Sequence, residues 1–98
     1  MHLSAVRAFV AVASCGSTVE AAIELGFTQS AVSRQIADFE RFVGRKLFGR
    51  RQGGMRLNAA GMEVLPAAVE ILRLAESMGA VSSGAQPRSR GLATRRQY

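Results

Sequence analysis

The chain is poor in the residues on which cross-linking and catalysis depend. Of its 98 residues one is cysteine and one is histidine, so neither an intrachain disulfide nor a cysteine-based metal site can form. Cys15, at the end of a helical pattern, reads as a small buried thiol rather than a redox switch, and His2, beside the terminus, makes a poor ligand or base. Acids are scarce too, seven Asp and Glu against thirteen Lys and Arg, and they are spread along helical patterns. Catalysis needs titratable groups that converge on a pocket, so no enzyme, cofactor or metal is expected. Gly53-Gly54 lacks the lysine and following helix of a phosphate-binding loop. No apolar run approaches the roughly 20 residues that cross a bilayer. The chain opens on an amphipathic helical pattern that Arg7 interrupts, so no signal peptide and no membrane role are expected, and the expected location is the cytoplasm. A chain this short suits one domain of modest stability, for which a partner subunit would be useful.

The positive charge is concentrated. Residues 34–56 carry Arg34, Arg41, Arg45, Lys46, Arg50, Arg51 and Arg56 against Asp38 and Glu40, and the end of the chain adds Arg88, Arg90, Arg95 and Arg96 without an acid. A basic block inside a folded region is the electrostatic footprint of a polyanion, although a solvated helix face has a similar composition.

Helical periodicity organises the first half. Leu3, Val6, Phe9, Val10 and Ala13 share one face of a first helix that ends at Cys15-Gly16. Ser17-Thr18-Val19-Glu20 has the spacing of a capping box, so a second helix begins at Thr18, shows Ala21, Ala22 and Leu25 on a narrow apolar face, and stops at Gly26. Thr28 caps a third helix through Val32, Ile36, Phe39 and Val43, with Gly44 as its stop. Two helices joined by a short turn containing Gly form a helix-turn-helix, whose second member enters the major groove with its N-terminal residues at the base edges. Gln29, Ser30, Ser33 and Arg34 crowd those turns.

Leu47–Arg51 and Met55–Leu57 are strand candidates around Gln52-Gly53-Gly54, the turn chemistry of a tight hairpin. A basic hairpin directly after a recognition helix reads as a wing. Its arginines, Arg50, Arg51 and Arg56, can follow a phosphate backbone or enter a narrow minor groove. Asn58 caps a fourth pattern from Ala59 to about Met78, in which Val64, Ile71 and Met78, Leu65 and Leu72, and Gly61, Ala68 and Ala75 recur at seven residues. Pro66 is expected to kink that helix rather than end it. A helix of roughly 30 Å is longer than so small a domain can cover. Either it folds back on the first three helices or, the favoured reading, Val64, Leu65, Ala68, Ile71, Leu72, Ala75 and Met78 form a dimer interface. Beyond Gly79 the apolar content is too low for a core, and a disordered, arginine-rich tail is expected.

The fold class that follows is mainly α, a winged helix-turn-helix of three helices plus a two-stranded β-hairpin wing, followed by a long dimerisation linker helix. Its parts are 1–58 (DNA-binding domain), 59–79 (linker helix) and 80–98 (tail). The ordered set Phe9, Val12, Gly16-Ser17, Ala21-Ala22, Leu25, Gln29, Ala31-Val32-Ser33, Ile36, Glu40, Gly44, Leu47-Phe48, Arg50, Leu57 and Ala60-Gly61 resembles the N-terminal DNA-binding domain of LysR-type transcriptional regulators, over about residues 3–78. The resemblance implies a bacterial protein acting on the nucleoid, binding double-stranded DNA at interrupted palindromes as a homodimer, possibly a tetramer. It also implies that Thr28, Gln29, Ser30, Ser33 and Arg34 approach bases and adjoining phosphates while Arg50, Arg51 and Arg56 hold the backbone or minor groove. Arg34 suits guanine and Gln29 adenine. Thr28 and Ser30 stand where the family has serine and proline, Phe39 and Val43 where it has leucines, and Asn58 where it has threonine. Family members continue into an effector-binding domain. Residues 79–98 hold nothing that would build one, so no small-molecule inducer site is expected in this chain. Two other readings remain open at this point: a non-specific basic nucleic-acid binder, and a short interaction subunit that heterodimerises with a full-length relative.

Overall fold

A computed structural model describes residues 2–51 and 54–82. Among them the order is α1 (Leu3–Cys15), α2 (Thr18–Leu25), α3 (Gln29–Val43), β1 (Phe48–Arg51), β2 (Gly54–Leu57) and α4 (Ala59–Ser82). The elements arise where local chemistry calls for them. Ser17 Oγ accepts the Glu20 amide and Thr28 Oγ1 the Ala31 amide, which satisfies donors that the first turn of a helix leaves unpaired. Helices α1 and α2 end at Gly16 and Gly26, whose φ of 78° and 76° lie in the left-handed region that glycine adopts without strain.

The core is a three-helix junction. Val6, Phe9 and Val12 of α1, Ala21 and Ala22 of α2, and Val32, Ile36 and Phe39 of α3 are buried, and the Phe9 ring lies 4.9 Å from that of Phe39 and 5.5 Å from that of Phe48. Ala21 and Ala22 are the buried residues of α2. Each fully buried Val or Phe removes apolar surface worth about 1.5–3 kcal/mol from water, so this junction anchors the head on which α3 is mounted.

The hairpin is antiparallel, with Phe48 opposite Leu57, Gly49 opposite Arg56, Arg50 opposite Met55 and Arg51 opposite Gly54. Gln52-Gly53 lie outside the described residues, as do the side chain of Arg51 and the tail arginines Arg88, Arg90, Arg95 and Arg96. Two glycines seat the wing. A Cβ on Gly54 would run into the carbonyl oxygen of Gly16, and one on Gly61 into the carbonyl oxygen of Leu47. The closeness has a use, because the Met55 amide donates to that Gly16 oxygen at 3.0 Å and ties β2 to the end of α1.

Helix α4 continues through Pro66 to Ser82, so residues 80–82, expected in the tail, are helical. Its apolar residues divide into two adjacent stripes, a division the seven-residue repeat did not reveal. Gly61 and Ala68 are buried, Ala68 at 1% exposure, Leu65 and Leu72 are partly buried against the core, and Ala75 is half-buried on the same side. Of the residues expected at a dimer interface, Ala68 is thus buried in the chain's own interior, and Leu65 and Leu72 are partly buried against its core. Next to them Ala67, Ile71, Leu74 and Met78 are exposed, with Val64 half-buried at the margin. Both stripes repeat every seven residues and lie side by side at about 100° per residue, so spacing alone does not say which one faces in. No helix among the described residues is long and apolar enough to cross a membrane.

Candidate nucleic-acid interface

Burying Val32, Ile36 and Phe39 forces the opposite side of α3 outward, and Gln29, Ser30, Ser33 and Arg34 are all exposed on its first two turns. Thr28, just before them, is occupied as the cap. Its Oγ1 accepts the Ala31 amide at 3.1 Å and lies 3.3 Å from Ser30 Oγ, so Ser30 reinforces the helix start. Gln29 Nε2 donates to Thr18 Oγ1 at 3.1 Å, joining the start of α3 to the start of α2. An open groove runs between these helix ends and the hairpin, lined by Ser17, Thr18, Gln29, Ser33, Lys46, Arg50 and Met55 among others.

The hairpin register separates the wing arginines. Side chains alternate between faces along a strand, so Arg50 shares the face of Phe48, Met55 and Leu57, and it lines the groove beside Gln29 and Ser33. Arg56, paired with Gly49, is exposed on the other face. Two of the three arginines expected to act as one clamp thus lie on opposite faces of the hairpin: Arg50 belongs with α3 and Arg56 faces away from it.

Ion pairing divides the basic block further. Arg41 pairs with Asp38 at 3.1 Å, Arg45 with Glu63 at 3.2 Å and Lys46 with Glu40 at 3.6 Å. Arg73 pairs with Glu70 on α4. Among the described residues, Arg34, Arg50 and Arg56 of the block have no acidic partner, nor has Arg7 on α1. These are exposed guanidiniums whose charge no neighbouring carboxylate offsets, which is what a phosphate-rich ligand requires.

Several residues that position this surface escaped the sequence reading. Glu40 Oε2 accepts the Leu47 amide at 2.8 Å while Oε1 meets Lys46, so one carboxylate shapes the turn between α3 and the wing. Asn58 does more than cap α4. Its Oδ1 accepts the Gly61 amide at 2.8 Å, and its Nδ2 donates to the Lys46 carbonyl at 2.9 Å, closing the base of the wing. Thr18 carried a readable signal only as the first residue of α2; its contact with Gln29 depends on how two helices meet.

Cys15 is half-buried rather than buried, and its Sγ donates to Glu24 Oε1 at 3.1 Å. That hydrogen bond, then desolvation and the nearby charges of Glu24 and Glu20, hold the thiol above its ordinary pKa, which disfavours the reactive thiolate. Among the described residues no group of His, Cys, Asp and Glu is arranged to hold a metal ion.

Comparison with known proteins agrees with this geometry. Residues 3–62 match the family model of the bacterial regulatory helix-turn-helix proteins, lysR family. An uncharacterized HTH-type transcriptional regulator in the ibpB-leuC intergenic region of Azotobacter vinelandii is 43% identical over 76 residues, covering 78% of this chain and 53% of its own length. A probable nitrogen assimilation transcriptional activator of Synechococcus elongatus is 47% identical over 66 residues, covering 67% of this chain and 21% of its own. This chain thus spans from about a fifth to about half the length of these two relatives. Among solved structures, the CbnR DNA-binding domain in complex with DNA superposes with a TM-score of 0.75 at 35% identity, covering 81% of this chain and 91% of that one. The BenM DNA-binding domain with catB site 1 DNA gives a TM-score of 0.75 at 30% identity, covering 83% and 90%.

Proposed function

The chain belongs to the lysR family of bacterial regulatory helix-turn-helix proteins, a family of transcriptional regulators and not of enzymes, and from that premise we propose that it reads double-stranded DNA by sequence, as a homodimer on an interrupted palindrome. In this reading α3 enters the major groove with Gln29, Ser30, Ser33 and Arg34 at base edges and adjoining phosphates. Arg34 takes guanine through O6 and N7. Arg50, in the groove between α3 and the wing, holds a phosphate flanking the same half-site, while Arg56 reaches the backbone or minor groove on the far side of the hairpin.

The observation that carries the proposal is the pattern of pairing within the basic block. Arg41, Arg45 and Lys46 are spent on acids, whereas Arg34 and Arg50 stand unpaired beside the polar head of α3. Two relatives of the same fold, CbnR and BenM, have their DNA-binding domains solved on DNA. The exposed stripe of Ile71, Leu74 and Met78 on α4 supports pairing of two copies, which would set their recognition helices about one helical turn, roughly 34 Å, or a multiple of it apart. Footprinting on DNA selected by the protein tests the whole reading. Protection of two half-sites related by a twofold axis is expected; protection of a single, unrepeated element contradicts the dimer, and uniform protection contradicts sequence reading.

A further inference from the structure

The bond between Gln29 and Thr18 has a consequence for which base Gln29 accepts. Gln29 is the first residue of α3 and Thr18 the first of α2, and both line the groove that Arg50 also lines. A glutamine amide can turn over, and its two orientations present different edges. With the oxygen and one N–H outward it offers an acceptor beside a donor, the complement of N6 and N7 of adenine; with the nitrogen alone outward it offers donors, which match O6 and N7 of guanine. A freely turning glutamine pays to choose between them on binding, whereas one that is already held does not.

We propose that Thr18 is a specificity-determining residue that acts by positioning Gln29 for adenine. In the structure Gln29 Nε2 donates one of its two hydrogens to Thr18 Oγ1 at 3.1 Å. When Thr18 Oγ1 takes the hydrogen trans to Oε1, the second hydrogen and Oε1 lie side by side, and Oε1 has no hydrogen-bond partner among the described residues. Thr18 is well placed for the task. The neighbouring Ser17 is the cap that accepts the Glu20 amide, so the Thr18 hydroxyl is not needed to start α2. Thr18 is half-buried as a residue, while its bond to Gln29 lies at the exposed groove. The same arrangement explains how α2, which presents no cation to the groove, contributes to readout: it fixes the amide of a residue on the next helix.

The inference rests on the reading of α3 as the recognition helix, and one experiment separates the two. The full 98-residue chain and its Thr18→Val, Thr18→Ser and Gln29→Ala variants are each used to select from a duplex library with a randomised core, with unfolding midpoints measured alongside. The native chain should select adenine at one position of each half-site by about tenfold or more, and Gln29→Ala should lose that preference alone. Thr18→Val, which keeps the shape and removes the hydroxyl, should lose most of the same preference without losing those at other positions, and Thr18→Ser should restore it. Unchanged adenine selection by Thr18→Val, or guanine selected at the Gln29-dependent position, overturns the inference while leaving α3 as the reader. Selection of no sequence by the native chain removes the reading of α3 and the inference with it.

Discussion

Glu40 on α3 holds the backbone of Leu47, accepting its amide at 2.8 Å from a side chain only 11% exposed. The contact fixes where the chain leaves the recognition helix and hence where the wing begins. Leu47 itself is fully buried, so its amide has little access to water as a substitute partner. Glu40→Ala should cost about 1–3 kcal/mol, the usual penalty for stranding a buried donor, whereas Glu40→Gln, which keeps an acceptor, should cost less. Urea unfolding of the two variants checks this, and equal losses would show that the amide bond matters little.

Gly54 and Gly61 are required for space rather than for backbone conformation. A methyl group at either position meets a carbonyl oxygen of fixed backbone, and strain of that kind costs about 1–3 kcal/mol. Gly26, with φ of 76° and open space around it, provides the contrast: Gly26→Ala should cost about 1 kcal/mol through conformation alone. The Gly54→Ala variant should also weaken DNA binding, because the wing can no longer sit against Gly16. Thermal unfolding and DNA titration of the three variants, compared side by side, measure both effects.

The exposed stripe on α4 calls for a split result. Leu74→Glu places a charge on the outer stripe and should leave a folded monomer; Ala68→Glu buries a charge against α1 and should unfold the chain, since an unpaired buried charge costs several kcal/mol. Sedimentation and circular dichroism distinguish the two. A folded dimer of Leu74→Glu would place the interface elsewhere.

What the amino-acid pattern shows here, and what it hides, follows from the range of each interaction. The three-helix head was legible because Val6, Phe9, Val32, Ile36 and Phe39 recur at helical spacing and because Ser17, Thr28 and Gly26 mark helix ends by chemistry local to a few residues. The wing was legible as an element through its glycines and alternating residues, yet the separation of Arg50 from Arg56 needed the pairing register, which sets the inward face. Ala68 and Ile71 belong to the same seven-residue pattern, and only the position of α1 decides that one is buried and the other exposed. The bonds of Glu40 to Leu47 and of Gln29 to Thr18 join residues 7 and 11 positions apart across element boundaries. No periodicity encodes them.

The pairing pattern predicts unequal roles for the arginines. Arg50→Ala and Arg56→Ala should each reduce the slope of log affinity against log salt by about one, with little change in preferred sequence. Arg41→Ala and Arg45→Ala, whose charges are already met by Asp38 and Glu63, should change it less. Titrations at several salt concentrations on one selected duplex provide the comparison, and equal slopes for all four variants would remove the distinction between paired and free cations.

The central claim is that α3 reads bases, and the most direct measurement is competition between the chain's own selected duplex and a scrambled duplex of equal length and composition, at near-physiological salt, for the native protein and Arg34→Ala. The native chain should prefer its selected site by about 10³-fold or more, and Arg34→Ala should lose about 1–3 kcal/mol of that preference, concentrated at one base pair of each half-site. A native preference near unity, or an equal loss by Arg34→Ala on both duplexes, would contradict it.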